Sequence, residues 1–325
     1  MKLHGIDFGP VWGASGVQGF WGEGYPFHRY YRIMFPGLFT FKNVTFVAKT
    51  ITLNPNPGNM PLYPDGTTPR EFRPRCIVAN FRAGAMLNAV GLSNLGARFY
   101  LDDGRWQART KPFVLSFMAI GKTRQERMYE LRNFISLLKT YLPNFKASIA
   151  LQINWSCPNV KHDLRELLAE VLEGLEIAST LDIPTIPKFN ALIPPELAVE
   201  FSESHLCDAI CVSNTVPWGE LSDRIDWKGL FESTTSPLAK YGFGNGGLSG
   251  SPITGIVRDW VARYSELDGR VPLNVGGGIM SIHDADQLAE WKCAQSIFIG
   301  TAAPLRPWRL RSIITRGCEW GHKYD

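Results

Sequence analysis

Short apolar runs alternate along this chain with longer stretches whose apolar residues recur at helical spacing. Eight such runs, rich in β-branched residues, fall at residues 10–14, 45–49, 113–118, 148–153, 184–188, 208–213, 271–275 and 296–300. None shows clear polar–apolar alternation, the pattern of strands buried on both faces. Between them lie helical patterns. Residues 124–141 place Met128, Leu131, Phe134, Ile135 and Leu138 on one stripe. Residues 163–181 do the same with Leu164, Leu167, Leu168, Val171, Leu172, Leu175 and Ala178. Ser281 followed by Asp284 resembles a capping box opening a helix that carries Ile282, Ala285 and Leu288. Strand and helix in alternation predict a parallel sheet. Eight strands predict an α/β fold of the closed kind, a (β/α)8 barrel; six or seven would suggest an open doubly wound sheet. Residues 51–112 break the alternation with many Pro, Gly and Asn and no strong helical pattern. They are expected to form an elaborated loop region or small hairpin over the C-terminal mouth of the barrel. Residues 1–325 are therefore read as one domain.

Composition narrows the classes. No stretch approaches the roughly 18 consecutive apolar residues of a membrane-spanning helix, and the opening MKLHGIDFG lacks the apolar core of a signal peptide. The expected location is the cytoplasm. A net charge of +4 is too small to argue for nucleic acid. Arg306, Arg309, Arg311 and Arg316 alternate with apolar residues and read as the polar face of a final helix rather than an anionic docking patch. Six cysteines, Cys76, Cys157, Cys207, Cys211, Cys293 and Cys318, include no C-x-x-C pair, so zinc and iron–sulfur ligation have little support.

A barrel carries its chemistry at the C-terminal ends of its strands. There the sequence places Ala14-Ser15-Gly16, Lys49-Thr50, Asn154 with Ser156-Cys157-Pro158-Asn159, Lys188, Ser213-Asn214-Thr215, Gly276-Gly277-Gly278 and Gly300-Thr301. Two lysines finish apolar strands, although buried lysine is rare unless paired. Small-molecule binding explains this better than stability does. Gly276-Gly277-Gly278 leaves a strand just before the helix that Ser281 should cap, and Gly300-Thr301 ends the next strand. Bare backbone amides and a helix N-terminus then face one point, a phosphate site. Glycines that merely make tight turns are the plain alternative, and two clusters on adjacent final strands weigh against it. A third cluster, Gly246-Gly247-Leu248-Ser249-Gly250, reads as a flexible loop rich in donors. No G-x-G-x-x-G dinucleotide loop follows the first strand.

The run Ile153-Asn154-Trp155-Ser156-Cys157-Pro158-Asn159 is similar to the N-x-S-C-P-N motif of the soluble, class 1-like dihydroorotate dehydrogenases. Further segments resemble that family in order: Ala14-Ser15-Gly16, Ala48-Lys49-Thr50-Ile51-Thr52, Gly58-Asn59 and Leu87-Asn88-Ala89-Val90-Gly91-Leu92-Ser93-Asn94. Lys188, Ser213-Asn214-Thr215, Gly246 to Gly250, Gly276-Gly277-Gly278-Ile279 and Gly300-Thr301-Ala302 follow, so the likeness covers nearly the whole chain. It implies a (β/α)8 barrel with FMN at its mouth and dihydroorotate stacked on the flavin. Lys49, Asn88, Asn154, Asn159, Asn214 and Thr215 would bind the pyrimidine, with Val90, Gly91 and Leu92 beside them. Lys188 would lie beside the flavin ring; Ala14, Gly16, Thr50 and Val212 would line the ring and ribityl chain, with Lys49, Asn88 and Asn154 shared between both ligands. Gly250, Gly277, Gly278, Gly300 and Thr301 would hold the phosphate, and Cys157 stands where the family has its catalytic base.

The chemistry needed matches the inventory. The reaction removes a proton from C5 of dihydroorotate and a hydride from C6, with the flavin doing the redox work. The loop Val160-Lys161-His162-Asp163 is shorter than in many soluble members, and Trp291 to Gln295 and Pro304 to Trp308 are also unusual. The resemblance further implies a homo-oligomer, a dimer. The wording Leu87 to Leu92 leans towards the NAD-linked branch, which uses a separate iron–sulfur flavoprotein; fumarate as acceptor is equally compatible. Two other functions stand against this one: a flavin enzyme acting on another dihydropyrimidine, and a flavin-binding accessory protein without catalysis. A tRNA-modifying version would show a basic patch and a helical RNA-binding domain, and the sequence shows neither.

Overall fold

The computed structural model describes residues 1–155 and 164–321. A two-stranded hairpin comes first, β1 (Lys2–Leu3) and β2 (Ile6–Asp7), then β3 (Val11–Gly13) and α1 (Pro26–Met34). Residues 51–112 fold as a hairpin, β4 (Ile77–Asn80) and β5 (Ala85–Asn88), followed by the short helix α2 (Ala97–Asp102). Regular alternation then begins: β6 (Phe113–Phe117), α3 (Arg124–Tyr141), β7 (Ile149–Asn154), α4 (Leu164–Ser179), β8 (Thr185–Asn190), α5 (Pro195–Ser202) and β9 (Ile210–Asn214). Next come β10 (Val216–Pro217), α6 (Trp227–Phe231), β11 (Gly247–Gly250) and α7 (Thr254–Glu266). The chain ends on β12 (Leu273–Gly276), α8 (Ile282–Ala289), β13 (Ala294–Ile299), α9 (Ala302–Leu305) and α10 (Leu310–Gly321).

Seven strands form one parallel sheet in the order β3-β13-β12-β9-β8-β7-β6. The eighth position is filled by residues 45–51, which bond to β3 on one side and β6 on the other without forming a continuous ladder. Gly13 N donates to Thr45 O at 2.9 Å, and Ala48 N to Val114 O at 2.9 Å. Lys49 N then turns to Gly19 O at 3.1 Å. That diversion, into the loop after β3, is why the second of the eight expected strands is bridged and not laddered. The barrel closes all the same.

Alternate residues of each strand go to opposite faces. Outward residues such as Leu115, Leu151, Phe189 and Val275 join the large core beneath the helices. On α3, the five stripe residues expected from the sequence are the buried ones. Thr123 caps that helix by accepting from Glu126 N, and Glu126 returns to Thr123 N. Helix α4 buries Val171, Leu175 and Ala178, while Leu164 at its start is exposed.

The elaboration over the mouth is a second, antiparallel sheet in the order β10-β11-β5-β4. The glycine-rich stretch read as a flexible loop is here strand β11, paired with β5 so that Gly247 faces Asn88 and Gly250 faces Ala85. Glycine serves close approach: a Cβ on Gly250, whose φ is +100°, would run into Gly84 O. The four arginines also divide. Only Arg311 and Arg316 lie in α10; Arg306 and Arg309 precede it, and Arg316 pairs with Asp286 at 2.6 Å.

Candidate active site

The bore of the barrel changes character along its length. At the end where strands begin, Leu3, Phe8, Trp12, Val47, Val114 and Ile186 pack together. One step further along the same strands stand Ser116, Gln152, Cys211, Asn274 and Ser296, all buried. Asn274 Nδ2 donates to Ser296 Oγ at 2.7 Å, and Cys211 Sγ to Asn274 Oδ1 at 3.3 Å. At the far end Lys49, Asn154, Lys188 and Ser213 look into an open cavity of about 1130 Å³. This exceeds the usual few hundred to 1,000 Å³ of a ligand site.

Most of the residues singled out by sequence line this one cavity. They are Ala14, Gly16, Lys49, Thr50, Asn88, Val90, Gly91, Leu92, Asn154, Lys188, Asn214, Thr215, Gly277, Gly278, Gly300 and Thr301. Two do not. The Val212 side chain turns outward into the core under the helices, because it alternates with Cys211 and Ser213. Gly250 is buried one layer behind the cavity wall, where its carbonyl lies 2.8 Å from the position a Cβ on Gly278 would take. Cys157 and Asn159 lie outside the described residues, as does the loop 160–163.

Electrostatics sets the demand of the site. Lys49 and Lys188 are only 7% and 6% exposed, and no carboxylate among the described residues pairs with either. Lys49 Nζ donates to Ser93 O at 2.6 Å and sits 4.9 Å over the Phe20 ring. Burial pulls its pKa down to about 7. Burial also lowers Lys188, whose Nζ rests 5.5 Å over the Phe298 ring. Two desolvated amines without counter-charge leave the cavity suited to an anionic ligand.

Hydrogen-bonding capacity is also left over. Asn154 Nδ2 donates to Thr50 Oγ1 at 3.0 Å, yet its Oδ1 is buried without a partner. On the facing wall Gly277 and Gly278 have φ of +109° and +92°. A Cβ on Gly278 would meet Thr254 Oγ1 and come within 2.9 Å of Thr254 N, so only glycine fits. Gly277, Gly278 and Gly300 therefore offer backbone with no side chain to hold an anion away. The expected help from the N-terminus of α8 is partly consumed: Asp284 Oδ2 accepts from Met280 N at 3.0 Å and from Ser281 Oγ at 2.8 Å. The cradle belongs to the strand ends more than to the helix. This donor set suits a ligand that carries both a phosphate and a polar planar edge.

Some residues of the bore and the cavity were missed from sequence. Ser116 and Gln152, in the polar layer below the cavity, are polar residues in apolar strands, a signal that could have found them. Tyr25, Phe27 and Tyr31 make α1 a wall of the cavity, and nothing in their spacing announced it.

Comparison with known proteins agrees with this geometry. The dihydroorotate dehydrogenase family profile matches residues 2–314. The chain belongs to the dihydroorotate dehydrogenase family. It is 29% identical over 323 residues to the dihydroorotate dehydrogenase B (NAD(+)) catalytic subunit of Anoxybacillus flavithermus, covering 97% of this chain and 88% of that protein. The subunit of the same name from Endomicrobium trichonymphae is 26% identical over 278 residues, 82% of this chain and 77% of the other. That from a Geobacillus species is 28% identical over 324 residues, with 97% and 88% covered. Members of this family are oxidoreductases acting on CH–CH donors and fold as TIM barrels, as this chain does. No helix among the described residues is long and apolar enough to cross a membrane.

Proposed function

We propose that this chain oxidises dihydroorotate to orotate, the redox step of pyrimidine synthesis, with FMN held in the barrel mouth. The carrying observation is the pair of buried lysines, with no carboxylate partner among the described residues, beside Asn154 and opposite a glycine cradle. The substrate is planar, anionic and rich in amide groups, and the cavity offers cations and amides in the same space. When bound, FMN supplies the acceptor for the C6 hydride. The chain's own part is positioning and proton handling. Lys49 and Lys188 hold negative charge, Asn88, Asn154 and Asn214 fix the ring, and the stacked layers of the bore below exclude water. Cys157, by its place in the motif, takes the C5 proton on Sγ; an ordinary thiol pKa of about 8.5 suits a base near neutrality. The relatives are named as catalytic subunits. That supports a separate electron-transfer subunit, an iron–sulfur flavoprotein with NAD as final acceptor. Cytoplasmic location and a homodimer complete the reading.

Stopped-flow absorbance on FMN-loaded protein tests it. Dihydroorotate should bleach the flavin band of the parent, and Cys157→Ala should still bind orotate but bleach it about a hundredfold or more slowly. Reduction by another dihydropyrimidine and not by dihydroorotate would transfer the assignment to that substrate. A variant as fast as the parent would remove Cys157 from the mechanism.

A further inference from the structure

Five tyrosines among the described residues lie inward, and four of them spend their hydroxyls on the protein. Tyr31 donates to Pro304 O at 2.8 Å, Tyr100 to Gly66 O at 2.7 Å and Tyr264 to Val271 O at 3.1 Å, and Tyr141 donates to Asp102. The fifth, Tyr25, lines the cavity, and its Oη makes no hydrogen bond to any described residue. An inward phenol ordinarily finds a partner. Packing alone would be served as well by phenylalanine. The ring is held from several sides. Tyr25 N donates to the buried His28 Nδ1 at 3.2 Å. The Phe27 ring lies nearly parallel, 5.8 Å away with 6° between the planes, and His28 meets Tyr25 edge-on at 5.8 Å. Held this way, the hydroxyl reaches over Gly16. A Cβ on Gly16 would lie 3.8 Å from Tyr25 Oη and 3.3 Å from Lys49 Cγ. The free phenol therefore stands beside Lys49, over a glycine that leaves the space open.

We infer that Tyr25 is a substrate-binding residue, whose hydroxyl donates a hydrogen bond to a negatively charged oxygen of the ligand held beside Lys49. The identity of that ligand rests on the proposed function, which makes the oxygen one of the substrate carboxylate. A carboxylate has lone pairs enough to accept from the phenol and the ammonium together. Burial, and after it the Glu23 carboxylate, push the Tyr25 pKa well above the ordinary phenol value. The group therefore keeps its proton at any working pH and serves as a donor, not as a base. Lys49, held down to about 7, loses its charge near neutrality, whereas the phenol beside it does not change.

Tyr25→Phe keeps the ring, its packing on Phe27 and the main-chain bond to His28, and removes only the hydroxyl. On FMN-loaded protein, calorimetry should show orotate bound about five- to tenfold more weakly than by the parent. In turnover with dihydroorotate and a dye acceptor, KM should rise by a similar factor while kcat stays within about twofold, the split of a contact made equally in ground and transition states. FMN retention and thermal midpoint should match the parent. Tyr31→Phe is the control. Tyr31 lines the same cavity, but its hydroxyl is committed to Pro304 O, so orotate affinity should stay within about twofold of the parent. Unchanged orotate affinity in Tyr25→Phe overturns the inference and leaves the proposed function standing. Looser FMN with unchanged orotate affinity assigns the hydroxyl to the flavin and overturns it likewise. Equal losses in Tyr25→Phe and Tyr31→Phe show that the free hydroxyl is not the cause, and also overturn it. Failure of the parent to bind orotate overturns the proposed function, and the carboxylate assignment with it.

Discussion

The two ends of the bore are built from the same strands and do opposite things. Val47, Val114, Ala150 and Ile186 close the end where the strands begin, with Trp12 and Phe8 filling the centre. Two residues further along, on the same faces, stand Lys49, Ser116, Gln152 and Lys188. A β-strand repeats its facing every second residue, so one short step along the backbone converts close packing into chemistry. The apolar end gains free energy from burial. The polar end spends some of it, since both lysines are desolvated and an amide oxygen is unpaired. Stability is concentrated where no ligand goes, and binding capacity where stability is sacrificed.

Substitutions at each end should separate the two properties. Trp12→Ala at the packed end should cost about 3–5 kcal/mol of unfolding free energy, read from denaturant titration. In whatever fraction still folds, orotate affinity should be unchanged. A loss of affinity out of proportion to the loss of fold would show that the ends are coupled. Asn154→Ala at the open end should reverse the pattern. Orotate binding should weaken by about 1–3 kcal/mol, with unfolding free energy altered by less than about 1 kcal/mol. Equal affinity for parent and variant would remove Asn154 from the ligand set.

The smallest effect is the most diagnostic. Lys49 is held down to about 7 in the ligand-free protein. An anion bound beside it restores the charge, so binding should take up a proton. Orotate affinity should fall about fivefold as pH rises past that value. Calorimetry in buffers of different ionisation heat reads the proton directly. The unfolded chain keeps its lysine proton to about 10.4. Above pH 7 the unfolded state therefore holds more protons, and the ligand-free protein should gain stability as pH climbs from there. Lys49→Met should weaken both trends and leave only the share carried by Lys188, which burial also lowers; trends unchanged by Lys49→Met would show that Lys49 is not their source.

Much of the barrel was legible in the sequence because its strands are buried on both faces and its helices on one. The pattern of Met128 to Leu138 on α3 could hardly have meant anything else. Residues 45–51 show the limit: apolar content marked a strand, but whether Lys49 N bonds to a neighbouring strand or to Gly19 O depends on a loop that local pattern does not describe. Strand β11 was read as a loop because glycine, serine and leucine carry little strand preference. Its partners make it one: β10 just before it and β5 about 160 residues earlier. In the site, lysines ending apolar strands were conspicuous. Val212 was assigned from resemblance alone, and its neighbours' alternation sends it the other way.

The pairing of β3 with β13 joins Val11 to Ile297, nearly the whole length of the chain apart. A ribosome delivers the first of these long before the second. Until β13 emerges, one side of β3 has no neighbour, and the packing around Trp12, fully buried in the finished barrel, is incomplete. Nascent chains of this protein therefore carry an open strand edge through most of their synthesis. Such intermediates are prone to aggregate, and contacts this distant in sequence form slowly. The yield of protein in a cell should then depend less on the stability of the closed barrel than on how long that edge stays guarded.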